Sequence, residues 1–446
     1  MAKRSRILVA ALGMAALAVG AVFLLRGSGV RYAVAPDAGG PIRGVACLIA
    51  SARRSTLRND LLITQIVNAL PARIRVTILT NDRAAFTVAR DPHPGRVTLL
   101  DLPAEANFTI WPQDPFLVLV GPEGKRLLLV SREFDRADDR LIAERLAERL
   151  GWTVRTSTLR FEGGNIVVGP RHVFIGANTI RYNAVKQETT DVEVARQFQL
   201  ELGRPVIVLG PVPQPVGHID MAVTALDASR MAVADAGWGA RLAKEQLRDD
   251  PDAVRAFEEA CERNYFGDPR IRELIDAEGK AIRPPEVIGQ TAVAADETGE
   301  IAVHLDRLAE ELVRRGYHVF RMPFLFRRSR AAVVSEEPCD SPPPPSDRPS
   351  PSALADGDAA ADVPEEKPDY PCLTYNNVLL ESHGGTRTVY LPQYGWRAMD
   401  DAARRAWEES GFTVVAVEGF AVSAMHGGSL RCCVKVLERD EAAAHP

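Results

Sequence analysis

A chain of 446 residues with 46% hydrophobic and 25% charged residues has an ordinary globular composition and enough apolar side chains for a sizeable core. Its 54 basic and 59 acidic residues leave a formal charge of −5, so there is no basic field for a phosphate backbone and nucleic acid is not an expected partner. The length fits two or three average domains or one large repetitive one, and does not decide between them.

Residues 7–25 form an uncharged apolar run, preceded by Lys3, Arg4 and Arg6 and closed by Arg26. Such a run is long enough to span a bilayer as a helix. The heavier positive charge before it predicts that everything after Arg26 lies on the non-cytoplasmic side. Residues 1–26 are therefore read as a signal anchor, or as a signal peptide cut near Ala18-Val19-Gly20-Ala21, and the remainder as exported. Residues 27–41 are expected to be a short Gly/Pro-containing tether.

From residue 44 a strand–helix–strand rhythm begins. The first unit has a strand at 44–50, a helix at 58–70 and a strand at 75–80, leading into 111–120. The second has a strand at 126–130, a helix at 138–150 and a strand from Thr153 that leads to Phe161-Glu162-Gly163-Gly164-Asn165. The third has 172–176, a helix at 191–202, a strand at 205–209 and then Gly217-His218-Ile219-Asp220. The fourth has 231–235, a helix at 301–315 and a strand at 318–322. The fifth has strands at 377–380 and 388–391, a helix at 399–410, a strand at 413–417, and last the segment 429–437.

A pattern recurring five times, at roughly 70–80 residues per unit without insertions, is an internal-repeat signal. It predicts one α/β domain over residues 42–438, with two interruptions. Residues 239–289 are helical and charge-rich, read as a surface insertion with a lid as the alternative. Residues 336–371, with Ser341-Pro342-Pro343-Pro344-Pro345, cannot bury enough apolar area to order themselves. Of the six cysteines, Cys339 and Cys372 bracket this excursion. They are either a disulfide, as an oxidising compartment allows, or two free thiols.

The chemistry-bearing residues fall where one unit ends and the next begins. They lie in Trp111-Pro112-Gln113-Asp114, in Gly217-His218-Ile219-Asp220 and in Gly427-Gly428-Ser429-Leu430-Arg431-Cys432. A Cys and a His far apart in sequence that meet in the fold provide a thiol nucleophile and a proton-transfer partner. Two aspartates beside that thiol oppose its ionisation, which makes sense if a cation arrives with the substrate. A planar guanidinium, with N–H donors on its edges, is the candidate. At i and i+2 of an extended segment, His218 and Asp220 are expected to face one side. Cys433 is then expected to point away from Cys432 and to be structural.

These motifs resemble the guanidine-modifying enzymes of the pentein fold: arginine and agmatine deiminases, peptidylarginine deiminases and amidinotransferases. The first motif looks most like the Trp-x-Gln-Asp of peptidylarginine deiminases. Glu162-Gly163-Gly164-Asn165 resembles the Glu-Gly-Gly element of bacterial deiminases. Gly217-His218-Ile219-Asp220 is similar to their Gly-His-(Val/Ile)-Asp, and the last run to their terminal Gly-Gly-x-x-His-Cys.

The resemblance implies a pentein-type α/β propeller of five pseudosymmetric ββαβ units that acts without metal or cofactor. It makes Cys432 the nucleophile, His218 the general acid/base and Asp114 and Asp220 the carboxylates that grip a guanidinium. Trp111, Glu162 and Asn165 are placed on the substrate side, with core packing the alternative for Trp111. The implied activity is a hydrolase converting a guanidino group to a ureido group, with arginine in peptides or proteins favoured. Agmatine or free arginine deiminase, amidinotransferase and a silent guanidine-binding surface protein are the alternatives. Three departures stand out: Arg431 where relatives have His, Met221 where they often have Glu, and Pro115 where calcium-binding relatives carry an acid.

Overall fold

The computed structural model describes residues 32–49, 58–83, 95–106, 108–134, 136–275, 279–327 and 370–440. The apolar run at 7–25, Cys339 and nearly all of the Pro-rich excursion lie outside them. Among the described residues no helix is long and apolar enough to cross a membrane.

Strands β1 (Ala33–Val34) and β2 (Ile42–Ile49), helix α1 (Asp60–Ala69), and strands β3 (Arg75–Thr80) and β4 (Val97–Asp101) come first. The second group is β5 (Phe116–Val120), β6 (Arg126–Val130), α2 (Arg140–Leu150) and β7 (Thr153–Thr156). The third is β8 (Ile166–Val168), β9 (Val173–Gly176), α3 (Ala177–Lys186), α4 (Asp191–Leu202) and β10 (Val206–Leu209). The fourth begins with β11 (Val223–Ala225) and β12 (Arg230–Asp235). It continues through α5 (Ala236–Asp249), α6 (Pro251–Arg263), the hairpin β13 (Leu274–Ile275) and β14 (Ala281–Ile282), α7 (Thr291–Glu300) and α8 (Ala302–Arg314) to β15 (His318–Leu325). After β16 (Leu373–Thr374) the fifth runs β17 (Leu379–His383), β18 (Thr386–Pro392), α9 (Arg397–Glu409) and β19 (Thr413–Val417). Two short helices, α10 (Ala421–Ala424) and α11 (Leu430–Cys433), precede β20 (Val434–Arg439).

Strand pairing repeats from group to group. An antiparallel pair is followed, across one or more helices, by a strand parallel to its second member: β5-β6-β7, β8-β9-β10, β11-β12-β15 and β17-β18-β19. The first group draws its antiparallel strand from the far end of the chain, because β20 pairs with β2 while β3 runs parallel on the other side. Flanked on both edges, β2 is apolar along nearly its whole length, as a strand covered on both faces must be.

The helices form for local reasons. In α2 the buried residues Ile142, Ala143, Leu146 and Ala147 make one stripe, and Gly151 in the left-handed region ends the helix. α4 starts on Thr190, whose side chain accepts the Glu193 N–H, and stops at Gly203, also left-handed.

Three expectations are corrected. Residues 33–40 are part of the fold and not a tether: β1 pairs with β5, and Val34 and Ala38 are buried. The insertion at 239–289 does not lie on the surface, since Ala240, Ala243, Val254, Phe257, Cys261, Tyr265 and Phe266 join the core. Helix packing of an apolar stripe explains this. At the end of the Pro-rich segment Tyr370 is fully buried, its hydroxyl 2.8 Å from Thr291 Oγ1. Cys372 is a free, buried thiol.

Candidate active site

The motif residues occupy equivalent places, each just ahead of the first strand of its group. Asp114 precedes β5, Glu162 to Asn165 precede β8, His218 to Asp220 precede β11, and Cys432 precedes β20. The fifth such position, before β17, holds Asn377, which the sequence reading placed inside a strand.

Glycines let these segments meet. A Cβ on Gly163 would lie 2.1 Å from the Gln113 carbonyl oxygen, and one on Gly164 would lie 2.3 Å from His218 Nδ1 and 3.0 Å from Asp114 Oδ1. A Cβ on Gly428 would lie 2.4 Å from the Trp111 ring. Trp111 therefore packs against the loop that leads to Cys432, which is the core-packing alternative for this residue.

The His218 ring donates from Nε2 to Glu162 Oε2 at 2.5 Å, and its Nδ1 lies 3.9 Å from Asp114 Oδ1. Burial works against the imidazolium, but Asp114, Glu162 and Asp220 outweigh it and raise the His218 pKa. For Glu162, burial favours the neutral acid, yet His218, Arg136 and Arg160 hold the carboxyl well below the usual range. Both shifts favour an imidazolium paired with a carboxylate.

Asp114 is nearly fully buried, and its Oδ1 accepts the Gly164 N–H at 3.0 Å. Its Oδ2 accepts from Arg136 Nη2 at 2.9 Å. Residues Ile219–Met221 form a single 3₁₀ turn, not the extended segment expected, and Asp220 lies within it. Its Oδ2 accepts from Arg431 Nη1 at 2.7 Å, while Oδ1 is buried with no hydrogen-bond partner among the described residues. Burial and Asp114 raise the Asp220 pKa; Arg431 and His218 oppose this.

Arg431 neither faces away from the site nor activates the thiol. Its guanidinium binds Asp220, Asp37 (3.0 and 3.2 Å) and the Ile166 carbonyl, so its charge is already balanced. Cys432 sits in the helical turn α11, where the sequence predicted an extended strand, and its N–H donates to Asn377 Oδ1 at 3.1 Å. Burial, then Asp220 and Asp114, push the thiol well above its ordinary pKa. Two aspartates that oppose ionisation of the thiol are what the motifs led us to expect.

Asn165 does not have a free amide for a substrate. Its Oδ1 accepts from Ile219 N and Gln214 Nε2, and its Nδ2 donates to Thr179 and Gln214, so it braces the His218–Asp220 turn. Gln113 is likewise engaged inward, donating to the Gly163 carbonyl at 3.3 Å. Buried Lys435 donates to the carbonyls of Gln113 and Phe116, and burial lowers its pKa to about 7.

Asp37, Arg136, Asn377 and Lys435 were missed as site residues. Only Asn377 had a usable signal, its place in the repeat. Among the described residues there is no group of three or more His, Cys, Asp or Glu able to hold a metal ion.

No family model and no curated protein matches the sequence. Solved structures do match the fold. Agmatine deiminase from C. jejuni has a TM-score of 0.55 at 13% identity, covering 92% of this chain and 96% of its own. Agmatine deiminase of Enterococcus faecalis has a TM-score of 0.52 at 13% identity, covering 91% and 95%. A protein named as a peptidyl-arginine deiminase has a TM-score of 0.54 at 12% identity, covering 91% and 98%. The chain therefore has the fold of these deiminases, the pentein fold that the motifs resembled.

Proposed function

We propose that the chain is a guanidino-group hydrolase of the deiminase type, its five ββαβ groups set around a common axis with the motif-bearing ends at the centre. The observation that carries this reading is the placement of Asp114, Glu162, His218, Asp220 and Cys432 at equivalent positions of successive groups, with Asp220 Oδ1 buried and unpartnered among the described residues. A buried carboxylate oxygen without a donor is costly until one arrives, and a guanidinium N–H is such a donor.

The chemistry follows from the charges. Burial and then the field of Asp220 and Asp114 keep Cys432 protonated; the bound cation offsets that field, and the thiol loses its proton to solvent when substrate is in place. The thiolate adds to the guanidinium carbon, held in front of it by the carboxylates. His218, kept protonated by Glu162 and Asp114, gives its proton to the departing nitrogen, and ammonia leaves. An amidino-thioether remains on Cys432. Water then gives a proton to His218 and adds to the same carbon, the C–S bond breaks, and a ureido product is released with the thiol restored.

The preference for peptidyl-arginine rested on the Gln of the first motif and on export. Gln113 faces the Gly163 carbonyl, so its identity says nothing about the substrate's far end. The fold likeness to proteins named as agmatine deiminases supports a small guanidine as the first substrate to try. Export through residues 7–25 remains part of the proposal and is tested by cell fractionation. The enzymatic reading is tested by ureido-product formation from agmatine, arginine and benzoyl-arginine amide. Absence of product from all three in folded, reduced protein refutes it.

A further inference from the structure

Two guanidinium groups of the chain itself already lie on the two aspartates, and they are held very differently. Arg431 is 8% exposed and donates to two carboxylates and two carbonyls from its terminal nitrogens. Such a group has no route out without leaving Asp220 as a buried, unpaired charge and Asp37 without its counter-ion. Arg136 also pairs with buried carboxylates, Asp114 and Asp139, but is itself more exposed. Its side chain is 23% exposed, it donates from Nη2 to Asp114, and its Nε is buried with no hydrogen-bond partner among the described residues. Asp139 lies 3.4 Å from that Nε without hydrogen-bond geometry. The arginine reaches the site from the connection between β6 and α2, with the Phe134 ring 4.8 Å beneath its guanidinium. Its charge also acts on Glu162.

We propose that Arg136 is an intramolecular competitor: a partly exposed guanidinium on Asp114 that an incoming guanidino ligand must displace, and so a residue that sets substrate specificity. This rests on the reading of Asp114 as a guanidinium-binding carboxylate. A second cation arriving at Asp114 meets a charge that is already neutralised, and it is repelled by Arg136 until that side chain swings toward solvent. A bare guanidinium gains little from the exchange. A substrate with further contacts along its chain gains enough to drive it, so Arg136 discriminates against small cations that match only the guanidinium.

The apparent affinity of a site open only part of the time falls by the open fraction. If Arg136 covers Asp114 about nine-tenths of the time, its removal tightens binding of a minimal ligand by roughly tenfold. The test is calorimetric titration of methylguanidinium into the full chain and its Arg136→Gln and Arg136→Lys variants, with agmatine kinetics and melting curves alongside. The expected result is binding about tenfold tighter for Arg136→Gln, a smaller gain for Arg136→Lys, and a lower KM for agmatine. The lysine variant keeps a positive charge beside Asp114 and Asp139, so it remains informative if the glutamine variant does not fold.

Methylguanidinium binding that is unchanged or weaker in both variants, while agmatine is still turned over, overturns the inference alone and makes Arg136 a fixed counter-ion. No binding and no turnover in any of the three proteins overturns both the inference and the functional reading.

Discussion

Replacing Glu162 with Gln removes the charge but keeps the shape of the group that holds the His218 proton. The contact is 2.5 Å long, and both side chains are less than a third exposed, at 32% and 24%. A hydrogen bond to a charged group in such a setting contributes about 1.5–3 kcal/mol. At 1.36 kcal/mol for each pH unit, loss of the charge should lower the His218 pKa by roughly one to two. Asp114, 3.9 Å from the other ring nitrogen, and Asp220 still favour the imidazolium, so the pKa should not fall far below its ordinary value.

The assay is an NMR titration of the His218 ring, paired with the alkaline limb of kcat/KM, which should move down by the same amount. Stability changes have a defined sign. The raised His218 pKa contributes stability that is complete below its unfolded value of 6.5 and is lost as pH rises through the folded value. The depressed Glu162 pKa contributes stability present above its unfolded value of 4.5 and lost as pH falls through the folded value. The difference in melting temperature between the wild type and Glu162→Gln should therefore be largest between those two values and narrow on both sides. A His218 titration unmoved by the substitution refutes Glu162 as the partner of the proton.

Two further predictions follow from the packing. Gly164→Ala places a Cβ 2.3 Å from His218 Nδ1 and 3.0 Å from Asp114 Oδ1, so it should separate these groups and lower kcat by about 100-fold, measured at saturating substrate. An unchanged kcat would mean that their spacing does not matter. Arg431→Met leaves Asp220 buried, and the part-exposed Asp37, without a counter-charge and should cost about 3–5 kcal/mol in urea unfolding; a loss below about 1 kcal/mol would show that the Arg431–Asp220 pair is not a buried ion pair.

The repeating strands were legible because their side chains alternate or run apolar over short stretches. The bounds of β3, β6 and β19 are those read from the sequence. β4 was missed because its residues are only half-buried and give little contrast. Helix α3 was missed because it starts directly from β9 with a weak stripe, Ala177, Ile180 and Ala184. A four-residue helix such as α11 is too short to leave a period, which is why Cys432 was read on a strand.

The site shows the same division. Cys432, His218, Glu162 and the two aspartates stand in motifs whose glycines permit close approach. The partners that neutralise them come from far along the chain: Asp37 lies 394 residues from Arg431, and Asn377 lies 55 from Cys432. No local pattern encodes such a pairing. Arg431 is the same case: it stands out in the sequence only as a departure, and the fold is what places it between Asp37 and Asp220.

The most direct test of guanidino chemistry at Cys432 is a colorimetric ureido assay on the protein with agmatine, arginine and benzoyl-arginine amide, run beside Cys432→Ser. Turnover of at least one substrate by the wild type and none by the serine variant is the predicted result. Equal turnover by the two proteins, or no ureido product from a folded and reduced wild type, would contradict it.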